Sequence, residues 1–168
     1  KYVILGHSER RKYQIETPEI ILEKTMLAYK HNLTPIICIG ETAEERNQNA
    51  TISVLNKQLS PLSSLQDFGN NNLIIAYEPV WAIGSGKIPT HEQIQEIILH
   101  IKHFIESKIS ITNKNFQILY GGSVTPENCQ DLLHISSMGG LLIGGASLVY
   151  DKLIRILKIA LAKEKPPV

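Results

Sequence analysis

Five short apolar runs divide the chain, and none of them alternates apolar with polar residues. Continuous runs of this length, rich in β-forming residues, are typical of strands covered on both faces, as in a parallel sheet. We therefore predict five parallel strands. They cover Tyr2–Leu5, Pro35–Ile39, Leu73–Tyr77, Phe116–Tyr120 and Leu141–Ile143.

Amphipathic segments lie between these runs and predict helices. Apolar residues recur at steps of three and four from Ile94 to Ile105, and Thr90 with Gln93 predicts a capping box before them. Thr17-Pro18 and Thr125-Pro126 each join an N-cap to a proline at the first helical position. The apolar faces predicted for the other helices are Leu22, Met26, Tyr29 and Leu33, then Ile52, Leu55 and Leu59, then Leu132 and Leu133, and finally Leu153, Ile156, Leu157, Ala160 and Leu161.

The strict alternation of strand and helix predicts a parallel α/β architecture. Five units share 168 residues, about 34 residues each, which is the size of a βα unit. An eight-fold βα barrel takes ~250 residues, so the chain is about three units short of one. The chain begins with Lys1 and not Met, and we expect a piece of a longer protein. We predict one domain over residues 1–168, with Ser60–Asn72 as a surface connection.

The composition of the chain argues against nucleic acids and membranes as its binding partners. The 17 Lys+Arg and 16 Asp+Glu leave a net charge of +1, which argues against a nucleic-acid arm or a polybasic membrane patch. No apolar stretch approaches the ~20 residues of a transmembrane helix, and the start lacks a signal-peptide pattern. Cys38 and Cys129 form no CxxC pair, so a reduced, cytoplasmic setting is expected. We expect neither nucleic acid nor membrane as a partner.

Polar residues and glycines cluster directly after all five predicted strands. The carboxyl ends of parallel strands carry the active site in α/β folds, so we expect these segments to form one site. They cover residues 6–11, 40–42, 78–87, 121–123 and 144–147.

Glu78 and His7 are the candidate acid–base residues. A carboxylate directly after a buried strand can act as a general base, because desolvation raises its proton affinity. The alternative is a strand-end carboxylate paired with a nearby Arg or Lys. His7 precedes a predicted helix start, which disfavours its protonation, and a neutral ring can polarise a carbonyl. The alternative is a satisfied core histidine. The other histidines lie on predicted helices without a third ligand, so no metal site is predicted.

The glycine segments are candidate phosphate sites. Gly144-Gly145 allows backbone N–H groups to approach an oxyanion, and Gly121-Gly122-Ser123 adds donors and a hydroxyl. The alternative is two tight turns. Gly84-Ser85-Gly86-Lys87 is not a P-loop, because Trp81 and Ile88 replace the required glycine and hydroxyl residue. The apolar residues of the Pro79–Lys87 loop fit either a lid that closes over a ligand or a loop packed permanently on the rim.

Taken together, these segments resemble the triosephosphate isomerase family through essentially the whole chain. The resemblance implies an eight-fold βα barrel of which this chain supplies the last five units, in the carboxyl-terminal portion of the protein. The segments that carry it are Tyr2–Arg11 (YVILGHSERR), Cys38–Glu41 (CIGE), Ala76–Lys87 (AYEPVWAIGSGK), Tyr120–Val124 (YGGSV) and Leu142–Leu148 (LIGGASL).

The resemblance also implies roles for single residues. It implies His7 as the electrophile, Glu78 as the base that abstracts a proton, and Glu9 as a carboxylate behind His7. Gly84, Ser123, Gly144 and Gly145 are implied as the phosphate-binding residues, and Pro79–Lys87 as the lid. The implied reaction interconverts dihydroxyacetone phosphate and D-glyceraldehyde 3-phosphate through an enediolate, in glycolysis and gluconeogenesis. No metal or cofactor is implied, and the family forms homodimers. The pairing of a Glu base with a neutral His is the known pattern of this enzyme.

Two departures keep other interpretations open. The family's first strand ends in an Asn-x-Lys segment whose lysine helps to hold the substrate, and its dimer loop follows the third strand. Neither has a counterpart in this chain. One alternative is an inactive half-barrel that binds phosphate or a partner without catalysis. Another is a different phosphate-binding βα-barrel enzyme, such as a sugar-phosphate epimerase.

Overall fold

The computed structural model describes residues 1–65, 72–109 and 116–163. Five parallel strands form one sheet in the order β1-β2-β3-β4-β5, as the strand–helix alternation predicts. Their bounds are β1 Tyr2–Leu5, β2 Thr34–Ile39, β3 Leu73–Tyr77, β4 Phe116–Tyr120 and β5 Gly140–Leu141.

The fifth strand differs from its prediction. We expected Leu141–Ile143, whereas β5 holds only Gly140 and Leu141, paired with Leu119 and Tyr120. Because β4 ends at Tyr120, the neighbouring strand offers no partner beyond a single hydrogen bond from Leu142 N–H to the Tyr120 carbonyl. The apolar run is therefore longer than the strand.

Helices connect the strands, and two of the predicted caps are present. Thr17 accepts the Ile20 N–H at the start of α2, and Thr90 with Gln93 forms a complete capping box before α5. Short 3-10 turns occupy Ser60–Ser64, Val80–Ala82 and Gly145–Leu148. The helices are α1 Ser8–Tyr13, α2 Pro18–Lys30, α3 Ala43–Asn47, α4 Thr51–Leu59, α5 His91–Lys108, α6 Cys129–Leu133 and α7 Tyr150–Lys163.

Two local predictions are wrong, and a third is tested only in part. Thr125 does not cap α6, because this helix begins at Cys129 and Asn128 is its N-cap residue. Thr125 lies in the preceding turn, where its N–H donates to Asn128 Oδ1 at 2.8 Å. On helix α2, the predicted face is right for Leu22 and Tyr29, which pack against the core, and wrong for Met26, which is 57% exposed. The fully buried positions are Ile21, Thr25 and Ala28, and the Thr25 hydroxyl donates to the Ile21 carbonyl. The connection predicted over Ser60–Asn72 starts as a 3-10 turn, and residues 66–71 lie outside the described residues.

The core lies between the sheet and its helices. Strand β3 is buried along its whole length, as expected of the central strand. Alternate strand residues such as Ile37, Ile75 and Ile118 join one apolar cluster with Leu55 of α4 and Ile98 of α5. None of the described helices is long and apolar enough to span a membrane.

Strands β1 and β5 are the edges of the sheet within the described residues. The side chains of Tyr2 and Ile4 on β1 are 69% and 47% exposed.

Candidate active site

The sheet positions the residues that follow its strands. Glu78 N–H donates to the Ile39 carbonyl, Gly121 N–H to the Tyr77 carbonyl and Leu142 N–H to the Tyr120 carbonyl, each at 2.8 Å. The ladder therefore continues for one residue past β3, β4 and β5. This places Glu78 and the glycine segments at one end of the sheet, as predicted.

His7 and Glu78 meet across this end of the sheet. His7 follows β1 through Gly6, whose φ of +65° turns the chain. The His7 Nε2 atom lies 3.3 Å from Glu78 Oε2. The sequence predicts both residues but not their contact, which depends on the parallel register of β1, β2 and β3.

His7 is also the N-cap of helix α1, and this fixes its tautomer. Its Nδ1 accepts the Glu9 N–H at 3.4 Å, so in a neutral ring the proton is on Nε2 and is donated to Glu78. Glu9, expected as a carboxylate behind His7, contacts it through the backbone, and its side chain is exposed. The structure thus presents a hydrogen-bond donor on the face of His7 that points into the site.

The Glu78 carboxylate is buried and is held by two donors. It is 2% exposed, and Ser8 N–H donates to its Oε1 at 2.6 Å. Burial raises the pKa of Glu78, and His7, Ser8 N–H, Arg11 and the Cys38 thiol partly offset the effect. A carboxylate with raised proton affinity is a stronger base than an exposed one.

Two further charged side chains surround this pair: Arg11, to which the sequence assigned no role, and Glu16, which the sequence analysis missed. Arg11 donates from Nε to the Gly6 carbonyl at 2.8 Å and from Nη2 to the Cys38 carbonyl at 2.9 Å, which ties the ends of β1 and β2 together. The buried Glu16 accepts Gly6 N–H at 3.3 Å and Arg10 Nε at 2.7 Å. The pair Arg10-Arg11 after β1 was a sequence signal for Arg11, and no local pattern indicated Glu16.

The end of β2 makes room for Glu78. A Cβ atom on Gly40 would lie 1.9 Å from the Glu78 carbonyl oxygen, so no side chain fits at position 40. The Gly40 backbone is in turn held by Gln58, which accepts from its N–H at 2.9 Å and donates to its carbonyl at 3.0 Å.

The first half of Pro79–Lys87, here called the lid segment, is anchored to Glu41. Trp81 Nε1 donates to Glu41 Oε1 at 2.9 Å, and Val80 N–H donates to the Glu41 carbonyl at 2.9 Å. The Arg46 guanidinium pairs with Glu41 at 3.0 Å and lies 4.8 Å from the centre of the Trp81 ring. The Trp81 side chain is therefore fixed, whereas residues 84–87 are exposed.

Ser123 holds the second half of the lid segment. Its hydroxyl donates to the Ala82 carbonyl and accepts the Gly86 N–H, the latter at 3.2 Å. Sequence reasoning expected this hydroxyl on a phosphate. In the structure the hydroxyl is occupied by the lid segment, which leaves the backbone N–H of Ser123 as its available donor.

A cavity of about 360 Å³ opens beside His7. It is bounded by His7, the tip of the lid segment and the glycine segments after β4 and β5. The N–H groups of Gly144 and Gly145 donate to no other described residue, and a Cβ atom on either glycine would meet nothing within 4 Å. The cavity therefore offers unpaired backbone donors of the kind that bind oxyanions. It also contains Gly84, Gly122 and Ser123.

The described residues contain no group of three or more His, Cys, Asp or Glu placed to hold a metal ion. The fold and the site define a class: a parallel βα protein in which a buried carboxylate pairs with an imidazole beside a cavity that contains unpaired glycine N–H groups. Comparison with known proteins is more specific. The family model described as triosephosphate isomerase matches residues 1–160. This chain belongs to the triosephosphate isomerase family.

Curated relatives agree with this assignment. The triosephosphate isomerase of Mesomycoplasma hyorhinis is 45% identical over 159 residues, which are 95% of this chain and 62% of that protein. Those of Alkaliphilus oremlandii and Endomicrobium trichonymphae are 42% and 44% identical, and the matches cover 94% of this chain in both cases and 64% and 63% of those proteins. The chain thus spans a little under two thirds of the length of these relatives.

Proposed function

We propose that this chain carries the catalytic pair and the phosphate cavity of a triosephosphate isomerase. The reaction would interconvert dihydroxyacetone phosphate and D-glyceraldehyde 3-phosphate, in glycolysis and gluconeogenesis. The observation that supports this most is the buried Glu78 carboxylate, 3.3 Å from the His7 Nε2 and next to a cavity with unpaired glycine N–H groups.

In the proposed mechanism, Glu78 removes a proton from the carbon next to the substrate carbonyl. The electron pair of the broken C–H bond forms the enediolate, and the negative charge develops on the carbonyl oxygen. His7 Nε2–H, which faces Glu78 in the structure, would donate to that oxygen instead. His7 then gives its Nε2 proton to the former carbonyl oxygen and takes up the proton of the neighbouring hydroxyl, so that one proton passes between the two oxygens. Return of the proton from Glu78 to the former carbonyl carbon completes the isomerisation. Stabilisation of the oxyanion by a preorganised donor is a large part of such catalysis.

We assign phosphate binding to the N–H groups of Gly84, Ser123, Gly144 and Gly145. All four residues line the cavity, and the last two have no other described acceptor. For Ser123 we assign the N–H and not the hydroxyl, because the lid segment already occupies the hydroxyl. The lid segment would exclude water from the reacting atoms. Glu9 would support His7 through its N–H.

We also propose that residues 1–168 form one domain that supplies the last five of eight βα units. The glycine segments follow β4 and β5, and barrel enzymes often bind phosphate after strands seven and eight. The three remaining units would cover the exposed edges, contribute the substrate-binding lysine and form the homodimer contact. The setting proposed is the cytoplasm.

A second candidate is a phosphate-binding remnant without catalysis. The supporting observation is that this chain supplies a cavity with unpaired glycine N–H groups, whereas the family's substrate-binding lysine has no counterpart in its 168 residues. Such a remnant would bind phosphate but would not need Glu78.

An isomerase assay in two tubes distinguishes the candidates. One tube holds this chain alone, and the other holds it with a separately made segment supplying the first three βα units of the Mesomycoplasma hyorhinis relative. Activity in the mixture, and its loss when Glu78→Gln replaces the wild-type chain, supports the isomerase. A folded chain that binds inorganic phosphate but isomerises nothing in either tube supports the remnant.

A further inference from the structure

The cavity beside His7 has almost no charge of its own. Among the described residues that line it, the only ionisable side chains are His7 and Lys152. A phosphate monoester carries close to two negative charges at neutral pH. Backbone N–H groups provide hydrogen bonds but no net charge. The lysine that the three remaining units would contribute balances one of the two charges, so a dianion in this cavity requires a further nearby cation.

Lys152 is the cation in position to meet that requirement. It lies in the first turn of helix α7, seven residues after Gly145, and its side chain is exposed. It forms no ion pair with any carboxylate that the structure describes. A lysine in the first turn of a helix is unfavourable with respect to the helix dipole, so the helix itself gives no electrostatic reason for this residue.

Arg11, the cation that interacts with Glu78, is not available to a ligand in the cavity. The Arg11 guanidinium is committed to the carbonyl oxygens of Gly6 and Cys38, and Arg11 does not line the cavity. A lysine, by contrast, is a compact charge on a flexible four-carbon stem that can follow a bound anion.

We infer that Lys152 is a phosphate-binding cation of this cavity, with its Nζ on the phosphate oxygens that the Gly144 and Gly145 N–H groups hold. The inference rests on the proposed function and makes it more specific, because the ligand would be recognised as a dianion. Lys152 lies outside all of the segments on which the family resemblance depends. The phosphate could belong to a triose phosphate or be free inorganic phosphate, and the test includes both sources.

The test compares four forms of the chain: wild type, Lys152→Met, Lys152→Arg and Lys158→Met. Lys158 is the matched control, because it is an exposed lysine of the same helix that does not line the cavity. Binding of inorganic phosphate and of glycerol 3-phosphate is measured by NMR titration of the Gly144 and Gly145 amides. Loss of one charge-assisted contact predicts about 10-fold weaker binding for Lys152→Met. Lys158→Met should change binding less than about 2-fold, and Lys152→Arg should restore most of it.

Two outcomes overturn the inference and are distinguishable. If wild type binds both anions and Lys152→Met binds them equally well, the cavity binds phosphate but Lys152 has no part in it. If folded wild type binds neither anion, the phosphate cavity of the proposed function fails together with Lys152. If the isolated chain is insoluble, the same four forms are compared in the two-part isomerase mixture. There the KM should rise for Lys152→Met alone.

Discussion

At the scale of single residues, the site depends on a carboxylate placed where its charge is unfavourable. Burial raises the pKa of Glu78 more than His7, Ser8 N–H and Arg11 lower it. The folded state therefore retains this proton at pH values where the unfolded chain has lost it. By linkage, Glu78 lowers the free energy of unfolding as pH rises from the ordinary carboxyl pKa to the raised one. The same burial that lowers the free energy of unfolding also raises the proton affinity of Glu78, as expected of a buried general base.

The first prediction concerns the pH dependence of isomerisation. If Glu78 is the base, kcat/KM of the two-part mixture falls on the acid side as Glu78 becomes protonated, with an apparent pKa above the ordinary Glu value of about 4.3. Initial rates at low substrate concentration between pH 4 and 9 measure it. An acid limb at or below the ordinary value would contradict the raised proton affinity of Glu78.

At the scale of elements, the lid segment is attached at two points by groups distant in sequence. Glu41, after β2, receives the Trp81 indole and the Arg46 guanidinium, and it lies within 3.3 Å of the Tyr77 hydroxyl oxygen. Ser123, after β4, holds the Ala82 carbonyl and the Gly86 N–H. The lid segment, which follows β3, is thus held by residues that follow the two neighbouring strands, β2 and β4.

The second prediction concerns the first attachment. Glu41→Ala leaves the Arg46 charge, the Trp81 N–H and the Tyr77 hydroxyl without their buried acceptor. Removing one partner of a buried ion pair lowers the free energy of unfolding by about 3 kcal/mol. The control Glu44→Ala, an exposed residue of α3, should change it by less than about 0.5 kcal/mol. Urea unfolding of both variants measures this, and equal effects would contradict the role of Glu41.

The third prediction concerns the second attachment. Ser123→Ala removes the acceptor of the Gly86 N–H, so hydrogen exchange at Gly86 should become about 10-fold faster, as expected for one lost hydrogen bond. Exchange within α5 should stay unchanged, since that helix is capped independently by Thr90 and Gln93. Phosphate binding should also survive, because the hydroxyl faces the lid segment. Unchanged exchange at Gly86 would mean that Ser123 does not hold the lid segment.

Much of this arrangement could be predicted from the sequence. Uninterrupted apolar runs predict β1, β3 and β4 to the residue, and the residues after the strands identify Glu78, His7 and the glycines. The end of β5 depends on the length of β4, which is a property of the pair and not of either strand. Other features are tertiary contacts, which no local sequence pattern predicts. They are the hydrogen bonds of Glu41 with Tyr77 and Trp81 and the close packing of Gly40 on Glu78.

At the scale of the whole molecule, the sheet has two unpaired edges among its described strands, β1 and β5. The β1 edge exposes Tyr2 and Ile4, which are apolar. Unpaired edges of this kind favour association between chains.

The fourth prediction follows from these edges. The isolated chain should self-associate or fold only in part, and adding the segment that supplies the first three βα units should convert it to a defined complex. Sedimentation velocity, with and without that segment, measures the change. A monodisperse isolated chain that isomerises triose phosphate unaided would contradict this prediction, because the open edges would then be tolerated and the three proposed units dispensable.

The measurement that tests the central claim most directly is isomerisation by the two-part mixture in D₂O, with deuterium entering the product at the carbon next to the carbonyl. Glu78→Gln should reduce both turnover and deuterium incorporation by ~10³-fold, as expected for loss of a general base. Glu44→Gln, the exposed control, should match wild type. Deuterium incorporation that persists in Glu78→Gln at the wild-type rate would contradict the account, because another group would then be the base.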